Sequence, residues 1–148
     1  MNPIAMDIPL LARNAGAWEG IYRHVAPDLT LLDRHRFRIE VELPENESFH
    51  YRQTSHYWWD DGRSQNFVFE AKCRNARLEW DTGRIKGELA QLDDMTLYLR
   101  FGFRAQPEIE VFEMIQLSPD GRDRARSWHW LRAGKLYQLT LVEEQRMR

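Results

Sequence analysis

Phe37-Arg38-Ile39-Glu40-Val41-Glu42-Leu43 alternates apolar and charged side chains without a break. Successive side chains on an extended strand point to opposite faces, so this spacing builds one dry face and one wet face. A helix would scatter the same residues around its axis. The pattern returns in Phe67, Phe69, Ala71 and Cys73, and again in Leu97, Leu99, Phe101 and Phe103. Turn chemistry separates these stretches at Asp60-Asp61-Gly62, Asp81-Thr82-Gly83, Asp93-Asp94, Gln106-Pro107, Ser118-Pro119-Asp120-Gly121 and Ala133-Gly134. Asp and Gly accept the left-handed backbone of a tight hairpin, and proline presets a turn dihedral. The segmentation predicts strands over roughly 17–25, 34–43, 48–59, 65–74, 77–80, 84–91, 96–105, 108–117, 124–132 and 135–145.

Linkers this short leave little room for a Greek-key crossover. The expected fold is all-β, a single up-and-down antiparallel barrel of about 8–10 strands, because closing so long a meander removes both exposed edges. A two-sheet sandwich is the alternative. One short helix is expected within the lead-in 1–15, with Asp7 as cap, Pro9 in the first turn, Leu10 and Leu11 as its apolar side, and Asn14 or Gly16 at its end. At 148 residues the chain is expected to hold one domain, 1–148.

Composition narrows the partners. A formal net charge of −2 supplies no strong field for nucleic acid or an anionic membrane, and neither is expected as a partner. The arginines Arg122, Arg124, Arg126 and Arg132 share a stretch with Trp128 and Trp130, yet Asp120 and Asp123 sit among them, so a solvated strand face with one or two structural arginines is the expected reading. No apolar run approaches the ~20 residues that cross a bilayer. The start of the chain lacks the pattern of a secretory leader, and the lone Cys73 fits a reducing compartment as a buried thiol; a cytoplasmic location is the expectation.

Gly16-Ala17-Trp18-Glu19-Gly20-Ile21-Tyr22 resembles the Gly-x-Trp signature that opens the first strand of calycins, the lipocalin-like barrels. With Tyr57-Trp58-Trp59-Asp60-Asp61-Gly62, Glu113-Met114-Ile115, Arg124-Ala125-Arg126-Ser127-Trp128-His129-Trp130 and Thr140 to Arg146, the chain resembles a bacterial calycin-like family of unknown function, the one numbered 3598. The resemblance runs from Trp18 to Arg146. It implies a calycin barrel and no established activity. It also implies that Trp18 closes one end beneath an arginine, with Arg126 favoured over Arg146 for that place.

Polar residues in phase with apolar ones are the candidates for chemistry. Ile109, Val111, Glu113, Ile115 and Leu117 share one strand face, which would set Glu113 in an apolar wall and raise its pKa. The alternatives are an outward Glu113 or one paired with Arg126. His24 is in phase with Trp18, Gly20 and Tyr22, and His24 and His56 join Glu113 as candidate acid–base residues. No His-x-His or His-Glu-x-x-His spacing is present, so neither a metal site nor a cofactor is expected. The aromatic candidates for ligand contact are Tyr22, Tyr51, Tyr57, Trp59, Phe69, Phe101, Trp128, Trp130 and Tyr137. Adjacent Trp58 and Trp59 must point to opposite faces.

The expected function is binding of a small hydrophobic or aromatic molecule inside the barrel. Two alternatives stand beside it: a cofactor-independent lyase, isomerase or cyclase using acid–base residues of the same cavity, and haem binding through one histidine. A homodimer is kept as an option. No phosphate loop, nucleophile elbow, Cys-x-x-Cys pair or dinucleotide fingerprint occurs.

Overall fold

In the computed structural model, which describes residues 1–148, the alternating stretches become ten strands that close on themselves. They are β1 (Gly16–Val25), β2 (Leu31–Glu42), β3 (Tyr51–Trp58), β4 (Ser64–Arg74), β5 (Arg77–Asp81), β6 (Ile85–Gln91), β7 (Thr96–Phe103), β8 (Gln106–Leu117), β9 (Asp123–Arg132) and β10 (Lys135–Arg146). Each pairs antiparallel with its neighbour in sequence, and β1 pairs with β10 to complete an up-and-down barrel. The meander wins over the sandwich because no linker crosses the sheet. No helix is long and apolar enough to cross a membrane.

The lead-in forms two helical pieces where one was expected, α1 (Ile4–Asp7) and α2 (Pro9–Arg13). The break falls at Ile8 (φ −136°, ψ 69°), since a residue before proline is driven out of the helical region. Asp7 therefore ends α1 and caps nothing; Pro9 opens α2 and Asn14 closes it. Ile4, Ile8, Leu10 and Leu11 are buried, so the pieces plug one end of the barrel with apolar side chains.

Trp18 stands just above this plug, fully buried. Its indole Nε1 donates to the carbonyl of Asn14 (2.9 Å). Two guanidiniums lie over the ring, Arg124 at 4.7 Å and Arg146 at 4.4 Å from its centre. The expected Arg126 is not one of them. It lies two residues further along β9, a step toward the barrel's middle, and covers Tyr22 (4.9 Å) and Phe37 (5.4 Å) instead. Arg146 also donates to the carbonyls of Gly121, Ala15 and Arg13, tying both chain ends to the closed end. Gly16 has φ +120°, and a Cβ there would stand 2.8 Å from the Arg146 guanidinium, which is why glycine precedes the tryptophan. At Gly20 a Cβ would fall 1.8 Å from the Glu143 carbonyl, so glycine lets β1 and β10 meet.

The hairpins β1–β2, β3–β4, β5–β6, β7–β8 and β9–β10 gather at the opposite end, the mouth. One seam there is incomplete. Strand β4 meets β5 only through Lys72↔Glu79, Cys73↔Leu78 and Arg74↔Arg77, near the closed end. The stretch of β4 from Ser64 to Ala71 pairs with β3 alone. The barrel therefore splits along one side toward its mouth, and Arg84 stacks on Phe67 (4.8 Å) across the split.

Candidate functional site

The interior holds a cavity of about 370 Å³. Inward phase on each strand decides its wall. On β8, Ile109, Val111, Glu113, Ile115 and Leu117 are all buried, so Glu113 faces inward between Leu99 of β7 and Trp128 of β9. On β9, Arg124, Arg126, Trp128 and Trp130 share the inner face, and on β3 Tyr51, Gln53, Ser55, Tyr57 and the following Trp59 do. A wider, more open depression near Glu19, Glu143 and Gln145 lies on the outer wall.

The lower cavity is a buried charge cluster. Glu144 accepts from Arg124 through both its oxygens (2.6 and 2.7 Å) and from Arg126 Nε (3.0 Å). Arg124 reaches down to Asn14 Oδ1 (3.0 Å), and Arg126 Nη1 lies 3.6 Å from Glu113 Oε2. Burial alone would raise Glu144; the guanidiniums of Arg126 and Arg124 outweigh it and hold this carboxyl below its ordinary value. At Glu113 the balance reverses. Desolvation is larger than the pull of Arg126 and Arg124, and its pKa is pushed up to about 7. The two carboxyls differ because Glu144 takes the close hydrogen bonds and Glu113 gets an arginine at ion-pair distance only.

Four buried polar atoms on residues of the cavity wall have no hydrogen-bond partner in the protein: Glu113 Oε2, Arg126 Nη2, Trp128 Nε1 and Trp80 Nε1. The Trp128 indole stands beside the Glu113 carboxyl without reaching hydrogen-bond geometry. Buried polar groups are seldom left unpaired, since each costs about 1–3 kcal/mol. One acceptor and three donors thus belong to residues that line one chamber.

Aromatic rings form the rest of the wall. Tyr22 meets Phe37, Tyr57 and Trp128 edge to face at 4.7, 5.4 and 6.0 Å. Phe101 meets Trp128 (5.5 Å), Phe69 meets Tyr51 (5.8 Å), and Trp130 lies flat on Phe103 (5.7 Å). Of the aromatic residues expected at the ligand, Tyr22, Tyr51, Tyr57, Trp59, Phe69, Phe101, Trp128 and Trp130 line the cavity. Tyr137 does not. A register shift between Leu136 and Gln138 makes it the bulged residue of β10, and it stacks under Arg132 (4.5 Å).

His24 is inward, its Nδ1 2.7 Å from Thr140 Oγ1 and 3.2 Å from Gln138 Nε2. Burial and then the charge of His35 lower its pKa. His56 is outside the barrel: exposed, stacked on Trp58 (5.2 Å) and bonded to Asn66. Parity explains the correction, since Tyr57 and Trp59 facing in require His56 to face out.

His35 is a cavity residue absent from the expected site residues. It is buried, stacked on Tyr22 (4.9 Å) and close to Trp59 (4.5 Å), with Nδ1 2.9 Å from Asp33 Oδ2. Trp59 Nε1 donates to both oxygens of Asp33 (2.9 and 3.1 Å). Burial works against the Asp33 charge, but the hydrogen bonds of His35 and Trp59 prevail and lower its pKa. The signal was available, because His35 precedes Phe37, Ile39 and Val41 on the same alternating face.

Solved structures share this architecture at low identity. A protein of unknown function from the DUF3598 family of Nostoc punctiforme superposes with a TM-score of 0.70 at 17% identity over 93% of this chain. The chain spans 49% of that protein's length. The S-type phycobiliprotein lyase CpeS of Guillardia theta gives 0.68 at 14% identity, covering 95% of this chain and 92% of its own. Rv2717c of Mycobacterium tuberculosis gives 0.68 at 15% identity, covering 97% and 99%. No protein-family model and no curated protein matches the sequence. At these identities the likeness establishes the calycin-like fold, in agreement with the resemblance carried by Gly16-Ala17-Trp18.

Proposed function

We propose that the chain binds one small, largely apolar aromatic molecule inside the barrel. The observation that carries this reading is the cavity of about 370 Å³, walled by aromatic rings and lined by residues with four unpartnered polar atoms, Glu113 Oε2, Arg126 Nη2, Trp128 Nε1 and Trp80 Nε1. That volume lies within the range of ligand sites, roughly 300–1,000 Å³. Burial of apolar surface, at about 25 cal/mol per Å², would supply most of the affinity. These polar atoms would fix orientation by receiving a ligand's donor and acceptor. A calycin-like barrel in a phycobiliprotein lyase is in keeping with a fold that handles a guest molecule.

The reading is tested by titration with an apolar fluorophore, comparing the unaltered protein with Leu99→Trp, which fills the chamber from β7. Saturable binding at one site, displaced by other planar apolar compounds and lost in L99W, is the expected result. No saturable binding to the unaltered protein contradicts it.

A second reading, proton-transfer catalysis without a cofactor, draws on Glu113. Its pKa of about 7 lets it hold or give up a proton near neutrality, and His24 lines the same chamber. In that case Glu113→Gln would keep binding the molecule and fail to convert it, which mass spectrometry of the bound species before and after incubation would show.

A further inference from the structure

We propose that His24, Asp33 and His35 form a binding site for a divalent first-row transition-metal ion at the mouth of the barrel. The site follows from strand register. His24 and Asp33 are cross-strand partners of β1 and β2, and His35 stands two residues beyond Asp33, on the same face. One donor atom from each residue lies within 4.8 Å of the others. The His35 Nδ1–Asp33 Oδ2 edge is 2.9 Å. An ion with bonds of about 2.0–2.2 Å sets adjacent donors roughly 3–3.5 Å apart, so that edge is already near length and His24 needs to close by roughly 1 Å.

The donors are two imidazoles and one carboxylate, a set suited to Zn²⁺, Co²⁺, Ni²⁺ or Cu²⁺ and poorly suited to Mg²⁺ or Ca²⁺. Outer groups already aim them. Trp59 Nε1–H holds Asp33, while Thr140 Oγ1, itself accepting from Trp130 Nε1 (2.8 Å), holds His24. His35 is fixed between Tyr22 and Trp59. Three protein donors leave at least one coordination position open. Since His24 and His35 both line the cavity, that position faces the chamber, where water or a polar atom of a guest can complete the shell. The site stands on its own donors, whatever molecule occupies the chamber.

The test uses the full chain, stripped with a chelator, dialysed, and titrated with Zn²⁺ by calorimetry and Co²⁺ by visible absorption. One ion per chain is expected, with ligand-field bands of nitrogen- and oxygen-coordinated Co²⁺. His24→Ala and His35→Ala should each weaken Zn²⁺ binding by ~100-fold and Asp33→Asn by at least ~10-fold, while His56→Ala, outside the barrel, leaves it unchanged. Because His35 is packed in the wall, a readout on the unaltered protein is included: Co²⁺ should broaden the imidazole resonances of His24 and His35 selectively. Absence of 1:1 binding, broadening of other histidines in their place, or Zn²⁺ affinity unchanged in H24A overturns the proposal and leaves the cluster a hydrogen-bond network.

Discussion

Glu113 and Glu144 show how two like side chains, in one buried cluster, are driven apart by a difference of contact. Glu113 binds its proton more tightly in the folded chain than in the unfolded one, where its ordinary value is 4.5. Folding therefore takes up a proton between about pH 4.5 and 7. The ionisation penalty is absent below that window, grows through it, and levels off above pH 7 at roughly 3 kcal/mol. Urea denaturation of Glu113→Gln across pH 5 to 8 should show the wild-type decline flattened. A decline identical to wild type would mean that Glu113 is not the group that titrates. Glu144 has the opposite sign: its stabilisation is present above the ordinary carboxylate range and lost as pH falls below it. Glu144→Ala leaves Arg124 and Arg126 buried without their shared acceptor, and should cost about 3–5 kcal/mol at pH 7 by the same measurement.

At the scale of elements, the closed end and the split seam carry separate expectations. Gly20→Ala would drive β1 from β10 at their closest approach, and overpacking of this kind costs about 1–3 kcal/mol or more, read as a lowered denaturation midpoint. Arg84→Ala removes the one cation–π contact that spans the gap between β4 and the β5–β6 hairpin. A loss of about 0.5–1 kcal/mol should raise the release rate of a bound fluorophore by roughly 2–5-fold, with little change in stability. The strands were legible in the sequence because a half-buried strand writes its two faces in alternate residues. The four apolar companions of Glu113 allowed an inward place beside an outward one or a pair with Arg126, and the register of β8 between β7 and β9 decides it. Arg126 was misplaced because spacing along β9 says which face a residue takes and not which layer it reaches; that depends on barrel shear. Tyr137 was misread because a bulge breaks parity and leaves no mark in composition. His56 was the avoidable case, for alternation with Tyr57 already forbade it.

The whole molecule is a barrel sealed at one end by Trp18, its two arginines and the helical plug, and open at the other through a ring of hairpins. What the sequence could not supply was the coincidence of distant residues. Glu113, Arg126 and Trp128 come from two strands, and His24, Asp33 and His35 from two others, and only closure turns both sets toward one volume. The central claim is that this volume serves a guest. It is tested most directly by native mass spectrometry of the protein purified from its own host under gentle conditions, beside Leu99→Trp prepared identically. A non-covalent small molecule retained by the wild type and missing from L99W is the expected result. A wild-type spectrum showing the bare chain alone, from cells in which the protein is abundant, would contradict the account.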